Sequence, residues 1–428
     1  MKKHAGKPTV ALDSLGCKLN QAEVQQMAGQ LAAAGYRIVP PDEKADIYIL
    51  NTCTVTHVAD RKSRHLLNTA RRRNPAAQLI AIGCYAEREP GALSSIEGVE
   101  LVLGNEQKWH LLELLETGKT VSPSPFPPVP SSERTRSFIK VQDGCRSFCA
   151  YCIVPMVRSR EYSVPADEVL AQLKEKAAAG FKEVVLTGTE IGNYKSGSET
   201  LKELLERILA ETDIPRLRLS SLQPRHITPG LPALWKNTRL CPHFHLSLQS
   251  GSDAVLKRMK RHYLTADYNR AVAVIRESIP GAAITTDVIV GFPGESDTEF
   301  KETCDFCSRM KFARIHVFPY SPRPRTAAAS MPAQVPEHVK KERSSRMLAL
   351  AKESAQIYHK QLSGKILDVL WEQQVNGIWS GLTGNYIKVY AKNAADLTNK
   401  LLPAKLIKIY RDGVWGEISS TITDSISP

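Results

Sequence analysis

The sequence predicts an α/β protein with an N-terminal parallel α/β sheet domain, a central partial (βα)6 barrel and a small antiparallel C-terminal β-barrel. Strand-like and helix-like segments alternate over residues 1–117 and again over residues 135–333, which is typical of parallel sheets covered by helices. A proline- and serine-rich linker, residues 121–134, separates these two regions. Short alternating strands with Gly and Asn turns fill residues 363–428 and predict the third domain.

Composition limits the possible classes of protein. The chain has 428 residues, 42% of them hydrophobic, and no apolar run approaches the ~20 residues that span a bilayer. The first ten residues contain lysines but no apolar core of a secretion signal. Nine cysteines without such a signal favour a reducing cytoplasm, where cysteine serves metals or catalysis before disulfides.

The net charge of +13 favours a polyanionic partner such as RNA, although a generic basic surface would give the same total. Two clusters strengthen the RNA interpretation. One lies at residues 60–73 and the other at residues 323–346.

In the first domain, three cysteines follow three successive strands. Cys17, Cys53 and Cys84 come at the ends of segments that we interpret as strands, namely 8–15, 46–55 and 78–85, with a fourth strand at 101–105. Helices are predicted from about residue 21 to 35, over 60–73 and up to about 116. Because the carboxyl ends of parallel strands share one edge of the sheet, the three cysteines are predicted to meet there and to hold a cluster with one open iron. Any one of them alone would more often be a core residue.

A second set of cysteines begins the middle domain. Cys145, Cys149 and Cys152 have the spacing C-x3-C-x2-C, which lets three thiolates converge on one centre. A zinc site would need a fourth ligand, commonly from a second knuckle, and none lies nearby. The spacing therefore favours an iron–sulfur cluster with one open iron over zinc or incidental cysteines. With Tyr151 in the aromatic position before the third cysteine, it resembles the loop of the radical S-adenosylmethionine (SAM) enzymes, in which the open iron binds the amino and carboxylate groups of SAM.

The remaining pattern of this domain predicts a parallel barrel with its site at the carboxyl ends of the strands. The predicted strands are 137–142, 183–188, 216–221, 243–248, 283–292 and 314–320. The resemblance implies that a glycine-rich turn after the second strand contacts SAM. Candidate SAM contacts are Gly188, Thr189, Glu190, Ser220, Gln249 and Asp287. Glu190 is suited to an ammonium group, whereas the serine could equally cap a helix.

Two features leave alternatives open. Arg158 and Arg160 follow the cysteine loop and could pair with the carboxylate of SAM or with an RNA phosphate. After a charged helix over 335–362, the C-terminal barrel carries Trp371, Trp379 and Tyr386, which could stack on bases or fill the core.

The whole chain, residues 7–421, resembles the radical SAM methylthiotransferases, which join a three-cysteine N-terminal domain, a radical SAM barrel and a C-terminal TRAM domain. The resemblance rests on the segments SLGCKLNQAE, NTCTVTHVADRKSR, IGCYAE, GCRSFCAYCIVP, LTGTEIG, HLSLQSGSDAVLKRMKR, DVIVGFPGE and FPYSPRPRT. It implies that Cys17, Cys53 and Cys84 hold an auxiliary [4Fe–4S] cluster. It implies a second [4Fe–4S] cluster, the one that binds SAM, on Cys145, Cys149 and Cys152.

The first two segments resemble the branch of the family that methylthiolates adenine C2 of N6-threonylcarbamoyladenosine at tRNA position 37. The implied partners are the tRNA anticodon stem-loop, an external electron donor and a sulfur source. Methylthiolation of N6-isopentenyladenosine tRNA or of a ribosomal-protein aspartate is the alternative chemistry. A non-catalytic iron–sulfur RNA-binding protein is the alternative of another class.

Overall fold

A computed structural model describes residues 8–116 and 135–418. These residues form two compact units. The first contains residues 8–116, 143–162 and 321–330, and the second contains 135–142, 163–320 and 331–418. The predicted linker lies outside the described residues. In the described parts of the chain, no helix combines the length and the apolarity that crossing a membrane requires.

The first unit is built on a five-stranded parallel sheet of order β2-β1-β3-β4-β5. Its strands are β1 (Thr9–Ser14), β2 (Arg37–Val39), β3 (Ile47–Thr52), β4 (Gln78–Gly83) and β5 (Val99–Leu103). Its helices are α1 (Lys18–Ala33), α2 (His57–Arg73), α3 (Cys84–Arg88), α4 (Pro90–Ser94), α5 (Leu111–Glu116) and, after the cysteine loop, α6 (Val154–Val157). The predicted parallel sheet is thus confirmed, and the short strand β2 is an addition to it.

Local sequence explains the central elements of this sheet. All six residues of β3 are buried, as the continuous apolar run predicts for a strand covered on both faces. Thr56 caps the amino terminus of α2, because its side chain accepts a hydrogen bond from the amide of Ala59. The helix ends one residue before Asn74, which precedes a proline.

The second unit contains the partial barrel. Its strands are β6 (Arg136–Asp143), β7 (Tyr162–Ser163), β8 (Glu183–Gly188), β9 (Lys195–Ser196), β10 (Glu199–Thr200), β11 (Arg216–Leu219), β12 (Ser221–Leu222), β13 (His243–Leu246), β14 (Ala283–Val290) and β15 (Arg314–Pro319). Its helices are α7 (Ala166–Ala178), α8 (Leu201–Glu211), α9 (Asp253–Arg258), α10 (Thr265–Ser278), α11 (Asp297–Met310) and α12 (Glu337–Lys360). Parallel pairing joins β6, β8 and β11, and a second parallel set runs from β12 to β15. The predicted third strand is therefore broken at Ser220, between β11 and β12.

A closed five-stranded barrel completes the second unit. It consists of β16 (Ile366–Val375), β17 (Ile378–Thr383), β18 (Lys388–Lys392), β19 (Leu401–Tyr410) and β20 (Gly413–Ile418). Its pairs are antiparallel except for a short parallel contact between β18 and β20. Trp371 and Trp379 are buried in its core, so the core interpretation of these rings is correct and the stacking interpretation is wrong.

A cluster of buried charged residues connects this small barrel to the larger one. Glu183 accepts a 2.8 Å hydrogen bond from Nε of Arg218, and Nη2 of Arg216 lies 2.8 Å from its other oxygen. Arg218 also donates to the carbonyls of Thr383, the last residue of β17, and of Gly384, the residue after it. Glu183 and Arg216 are the first residues of β8 and β11, at the end opposite to the one where parallel barrels build their sites.

Candidate functional site

The first unit places the three predicted strand-end cysteines on adjacent strands. Cys17 follows β1 and precedes α1, Cys53 directly follows β3, and Cys84 is the first residue of α3, after β4. Since β1, β3 and β4 are neighbours in the sheet, the cysteines share its carboxyl edge, as the sequence predicts. Cys53 and Cys84 are buried and Cys17 is exposed, so the trio opens to solvent on one side.

Tight turns bring these cysteines together. Gly16 has φ +100°, and a Cβ on it would lie 2.6 Å from Sγ of Cys53. Asn20 holds the turn before α1 by donating to the carbonyls of Leu15 and Thr52, and its Oδ1 lies 3.6 Å from Sγ of Cys17. Only a residue without a Cβ allows the two cysteine turns to approach this closely.

The thiols of this trio influence one another. Burial raises the pKa of Cys53 to about 12, and negative charge on Cys17 and Cys84 acts in the same direction. Three thiolates in this space therefore need a compensating cation, and a bound metal cluster supplies one.

Arg158 provides positive charge next to the third cysteine. Its Nε lies 3.2 Å from Sγ of Cys84, and its Nη1 lies 2.9 Å from Glu23 and 2.8 Å from Asp143. Arg158 is buried, and although burial alone lowers its pKa, the charges of Cys84, Glu23 and Asp143 outweigh that effect and raise it. The expectation that this side chain meets a SAM carboxylate or an RNA phosphate is not met, because buried partners occupy it.

The loop with the second cysteine trio belongs to the same compact unit. Cys149 is buried, and Cys145 and Cys152 are half-buried. The loop curls through hydrogen bonds from the amide of Cys152 to the carbonyl of Cys149 and from the amide of Ser147 to Sγ of Cys145. Tyr151, in the predicted aromatic position, is half-buried. Phe148 has φ +46°, a costly conformation for a bulky residue, and its ring is exposed.

Among the described residues, neither cysteine trio has its three sulfur atoms within 4.8 Å of one another. Over residues 8–116 and 135–418, the one group of three possible metal ligands that lies this close contains histidine and aspartate. Neither trio is therefore drawn together as tightly as four thiolates around a single zinc ion. Two sets of three cysteines fit clusters that take three protein thiolates and keep one iron open.

In the second unit, the turn after β8 contains Gly188, Thr189 and Glu190. The amide of Glu190 donates to Oε1 of Gln142, and a Cβ on Gly188 would lie 2.6 Å from the carbonyl of Gln142. The carboxylate of Glu190 is buried and accepts hydrogen bonds from Gln223 and Arg225. A ligand ammonium group at Glu190 would thus join an existing pair with an arginine, which the sequence did not predict.

Ser220 and Gln249 mark two further strand ends. The hydroxyl of Ser220 is buried and has no hydrogen-bond partner in the described structure, so it is available to a ligand. Gln249 has φ +70°, and its backbone pairs with Asp287 and Ile289. This pairing extends the contact between the two strands past the end of β13.

Asp287 lies on β14 close to His245 and His316, which lie on the two flanking strands. The ligand atoms of these three side chains all lie within 4.8 Å of one another. Oδ2 of Asp287 lies 3.2 Å from Nε2 of His245, whose Nδ1 lies 3.0 Å from the hydroxyl of Thr285. Both ring nitrogens of His245 therefore have hydrogen-bond partners on β14. The sequence prediction included Asp287 and missed the histidines, for which the available signal was a polar ring inside each of the apolar strands β13 and β15.

A barrel of parallel strands combined with a C-x3-C-x2-C loop defines the class of the radical SAM proteins. Residues 139–307 match the model of the radical SAM superfamily, and residues 9–104 match that of the uncharacterized protein family UPF0004. Proteins of the radical SAM class use SAM and a [4Fe–4S] cluster.

Curated relatives extend the match to nearly the whole chain. The threonylcarbamoyladenosine tRNA methylthiotransferase MtaB of Bacillus subtilis is 34% identical over 98% of this chain and 98% of its own. The protein of that name from Thermotoga maritima is 40% identical over 89% of this chain and 90% of its own. The tRNA-2-methylthio-N(6)-dimethylallyladenosine synthase of Thermodesulfovibrio yellowstonii is 31% identical over 96% of this chain and 99% of its own. The chain therefore belongs to the radical SAM tRNA methylthiotransferase family.

A solved structure shares the fold at low identity. The radical SAM methyltransferase TsrM of Kitasatospora setae aligns with a TM-score of 0.55 at 17% identity, over 75% of each chain.

Proposed function

We propose that this enzyme methylthiolates adenine C2 of N6-threonylcarbamoyladenosine at tRNA position 37, with one [4Fe–4S] cluster on each cysteine trio. The observation that carries the proposal is the placement of both trios of cysteines in one compact unit. The relatives named for this substrate support the choice of nucleoside.

The reaction replaces an unactivated C–H bond by C–S, which acid–base groups at neutral pH cannot do directly. The clusters and SAM supply radical chemistry and the sulfur atom when bound. The chain's own residues hold these groups. Cys145, Cys149 and Cys152 are the ligands for the cluster that binds SAM, with Tyr151 beside them. The strand-end residues Gly188, Thr189, Glu190, Ser220, Gln249 and Asp287 orient SAM.

The tRNA supplies a single-stranded loop, so presenting its base costs little unpairing energy. Exposed basic residues of α2, including Arg61, Lys62, Arg64 and Arg72, are suited to its phosphates. The second predicted basic cluster contributes less, because Arg323, Lys340 and Arg343 are buried. An external electron donor, a sulfur source and a cytoplasmic location complete the proposal.

Mass spectrometry of tRNA nucleosides from cells with and without the gene tests the substrate. The expected result is loss of 2-methylthio-N6-threonylcarbamoyladenosine and accumulation of its unthiolated precursor. Loss of the dimethylallyl analogue instead would favour the second candidate, which the relative named for that nucleoside supports. An unchanged tRNA nucleoside pattern would contradict both.

The Cys17→Ala variant tests whether the two cysteine trios serve different steps, SAM cleavage and thiolation. It is expected to retain cleavage of SAM to 5′-deoxyadenosine and to lose thiolation. Thiolation by this variant with an intact auxiliary cluster would contradict the assignment of Cys17.

A further inference from the structure

A network of four buried charges lies beside the strand-end cysteines. Glu23 and Lys108 are fully buried, with Nζ of Lys108 2.7 Å from Oε2 of Glu23. Arg158 contacts both Glu23 and Asp143, so two acids face two bases and the formal charges balance.

Stability alone does not account for this network. Removing four charged groups from water is expensive, and well-packed apolar residues in place of a buried ion network are often equally or more stabilising. The network lies beside the strand-end cysteines, so a functional role depends on its contacts with them.

Arg158 connects groups from both cysteine trios. Its Nε donates to Sγ of Cys84 at 3.2 Å, and its Nη2 donates at 3.0 Å to Oδ1 of Asn20, the atom that also faces Sγ of Cys17. Its Nη1 donates to Asp143, which lies two residues before Cys145. One guanidinium thus holds a ligand of the first trio and the entrance to the loop of the second.

Hydrogen bonds and positive charge at a ligand sulfur stabilise the more negative, reduced state of an iron–sulfur cluster. They also fix the orientation of the ligand. We propose that Arg158 is a positioning residue of the auxiliary cluster, which orients the Cys84 thiolate and raises the reduction potential of the cluster. This inference rests on the proposed function, because it requires a cluster on Cys17, Cys53 and Cys84.

The test uses the full chain with Cys145, Cys149 and Cys152 replaced by alanine, so that only the auxiliary cluster assembles. After anaerobic reconstitution, iron and sulfide per chain are measured and the midpoint potential is determined by a redox titration followed by electron paramagnetic resonance. Arg158→Met is expected to retain the cluster and to shift its potential to more negative values. Arg158→Lys keeps the positive charge but not the several N–H donors of the guanidinium. Its midpoint potential is expected to lie between those of the parent chain and Arg158→Met.

Activity is measured in the chain with all six cysteines. Arg158→Met is expected to reduce methylthiolation by about tenfold, the lower end of effects seen when a ligand's supporting residue is removed. Formation of 5′-deoxyadenosine is expected to fall by a smaller factor than methylthiolation, because Arg158 contacts a cysteine of the auxiliary trio directly but reaches the loop of the other trio only through Asp143. A purely structural role would lower both products together and leave the potential unchanged.

Arg158→Met leaves two carboxylates with one base, so the double variant Arg158→Met, Asp143→Asn restores the charge balance if the single variant does not fold. Arg37→Met, at an exposed position in the same unit, is the control for general loss of charge. An unchanged potential in both Arg158 variants would overturn this inference and leave the proposed function intact. Failure of the parent chain to bind iron would instead contradict the auxiliary cluster itself, and with it the proposed function.

Discussion

Asp60 accepts a 2.6 Å hydrogen bond from Nη2 of Arg323, which lies 263 residues further along the chain. The same carboxylate oxygen lies 2.9 Å from Nη2 of Arg88. The hydroxyl of Thr54 donates to the other oxygen of Asp60 and accepts from both arginines. This buried group braces the residue next to Cys53, and it fixes segment 321–330, which also supports the cysteine loop through a hydrogen bond from the amide of Ala328 to the carbonyl of Ala150.

Asp60→Asn is expected to lower the free energy of unfolding by about 3–5 kcal/mol, because two buried guanidinium groups would lose their shared carboxylate. Urea unfolding measures the change. The control is Glu97→Gln, which removes an exposed partner of Arg71 and should cost less than about 1 kcal/mol. A loss of stability for Asp60→Asn as small as that of the control would contradict this account.

Gly16→Ala is expected to remove iron from the auxiliary site, because the new Cβ would lie 2.6 Å from Sγ of Cys53 and the backbone has φ +100°. Iron per chain is measured in the background without the loop cysteines. Gly377→Ala is the matched control, since its φ is +74° and no atom lies within 4 Å of the added Cβ. It should cost about 1 kcal/mol of stability and no iron. Equal iron content in the two variants would show that the close approach is unimportant.

The sequence predicted the strand-end cysteines because continuous apolar runs define where strands end, and parallel topology then places those ends together. It could not predict Arg158 in its buried setting, because Glu23 lies 135 residues before it and local patterns carry no information about such a pair. The nearest signal was the spacing of Asn20 and Glu23, which lie three residues apart on one face of α1, directly after Cys17.

Charge and aromaticity were weaker guides than topology. The basic cluster at 323–346 predicted a phosphate-binding surface, yet Arg343 is buried against Glu295 and Lys340 is also buried. The net charge of a sequence does not show which basic residues pair with acidic ones in the fold. Likewise, the presence of a tryptophan does not show whether it is exposed for stacking or buried, as Trp371 is in the barrel core. The division into three domains at residues 117, 135, 333 and 363 stays a prediction.

Stability is expected to fall in acid because of Glu183. Burial alone would raise the pKa of this carboxyl, but Arg218 and Arg216 outweigh it and lower the pKa to about 2. Since the pKa in the folded state is below the unfolded value of about 4.3, the contribution is fully present above that value and is lost as the pH falls towards 2. The loss between pH 5.5 and 3.5 should be about 1 kcal/mol.

Urea unfolding at these two pH values, for the wild type and for Glu183→Gln, measures this loss. The variant is expected to be less stable at pH 5.5 and to lose less stability on acidification. Glu353→Gln, at an exposed position on α12, should retain the wild-type dependence. A variant of Glu183 with the full wild-type loss would assign the acid sensitivity to other groups.

The basic face of α2 is expected to contribute to tRNA affinity through phosphates. Replacing Arg61 and Lys62, both exposed, by alanine should weaken binding of an anticodon stem-loop and reduce the slope of log Kd against log salt concentration by about two, one for each lost phosphate contact. Arg270 and Lys301 give a matched pair for comparison, because each is exposed but already paired with an aspartate. Their replacement by alanine should leave the slope unchanged. Equal slopes for the α2 variant and the wild type would place the tRNA on another surface of the molecule.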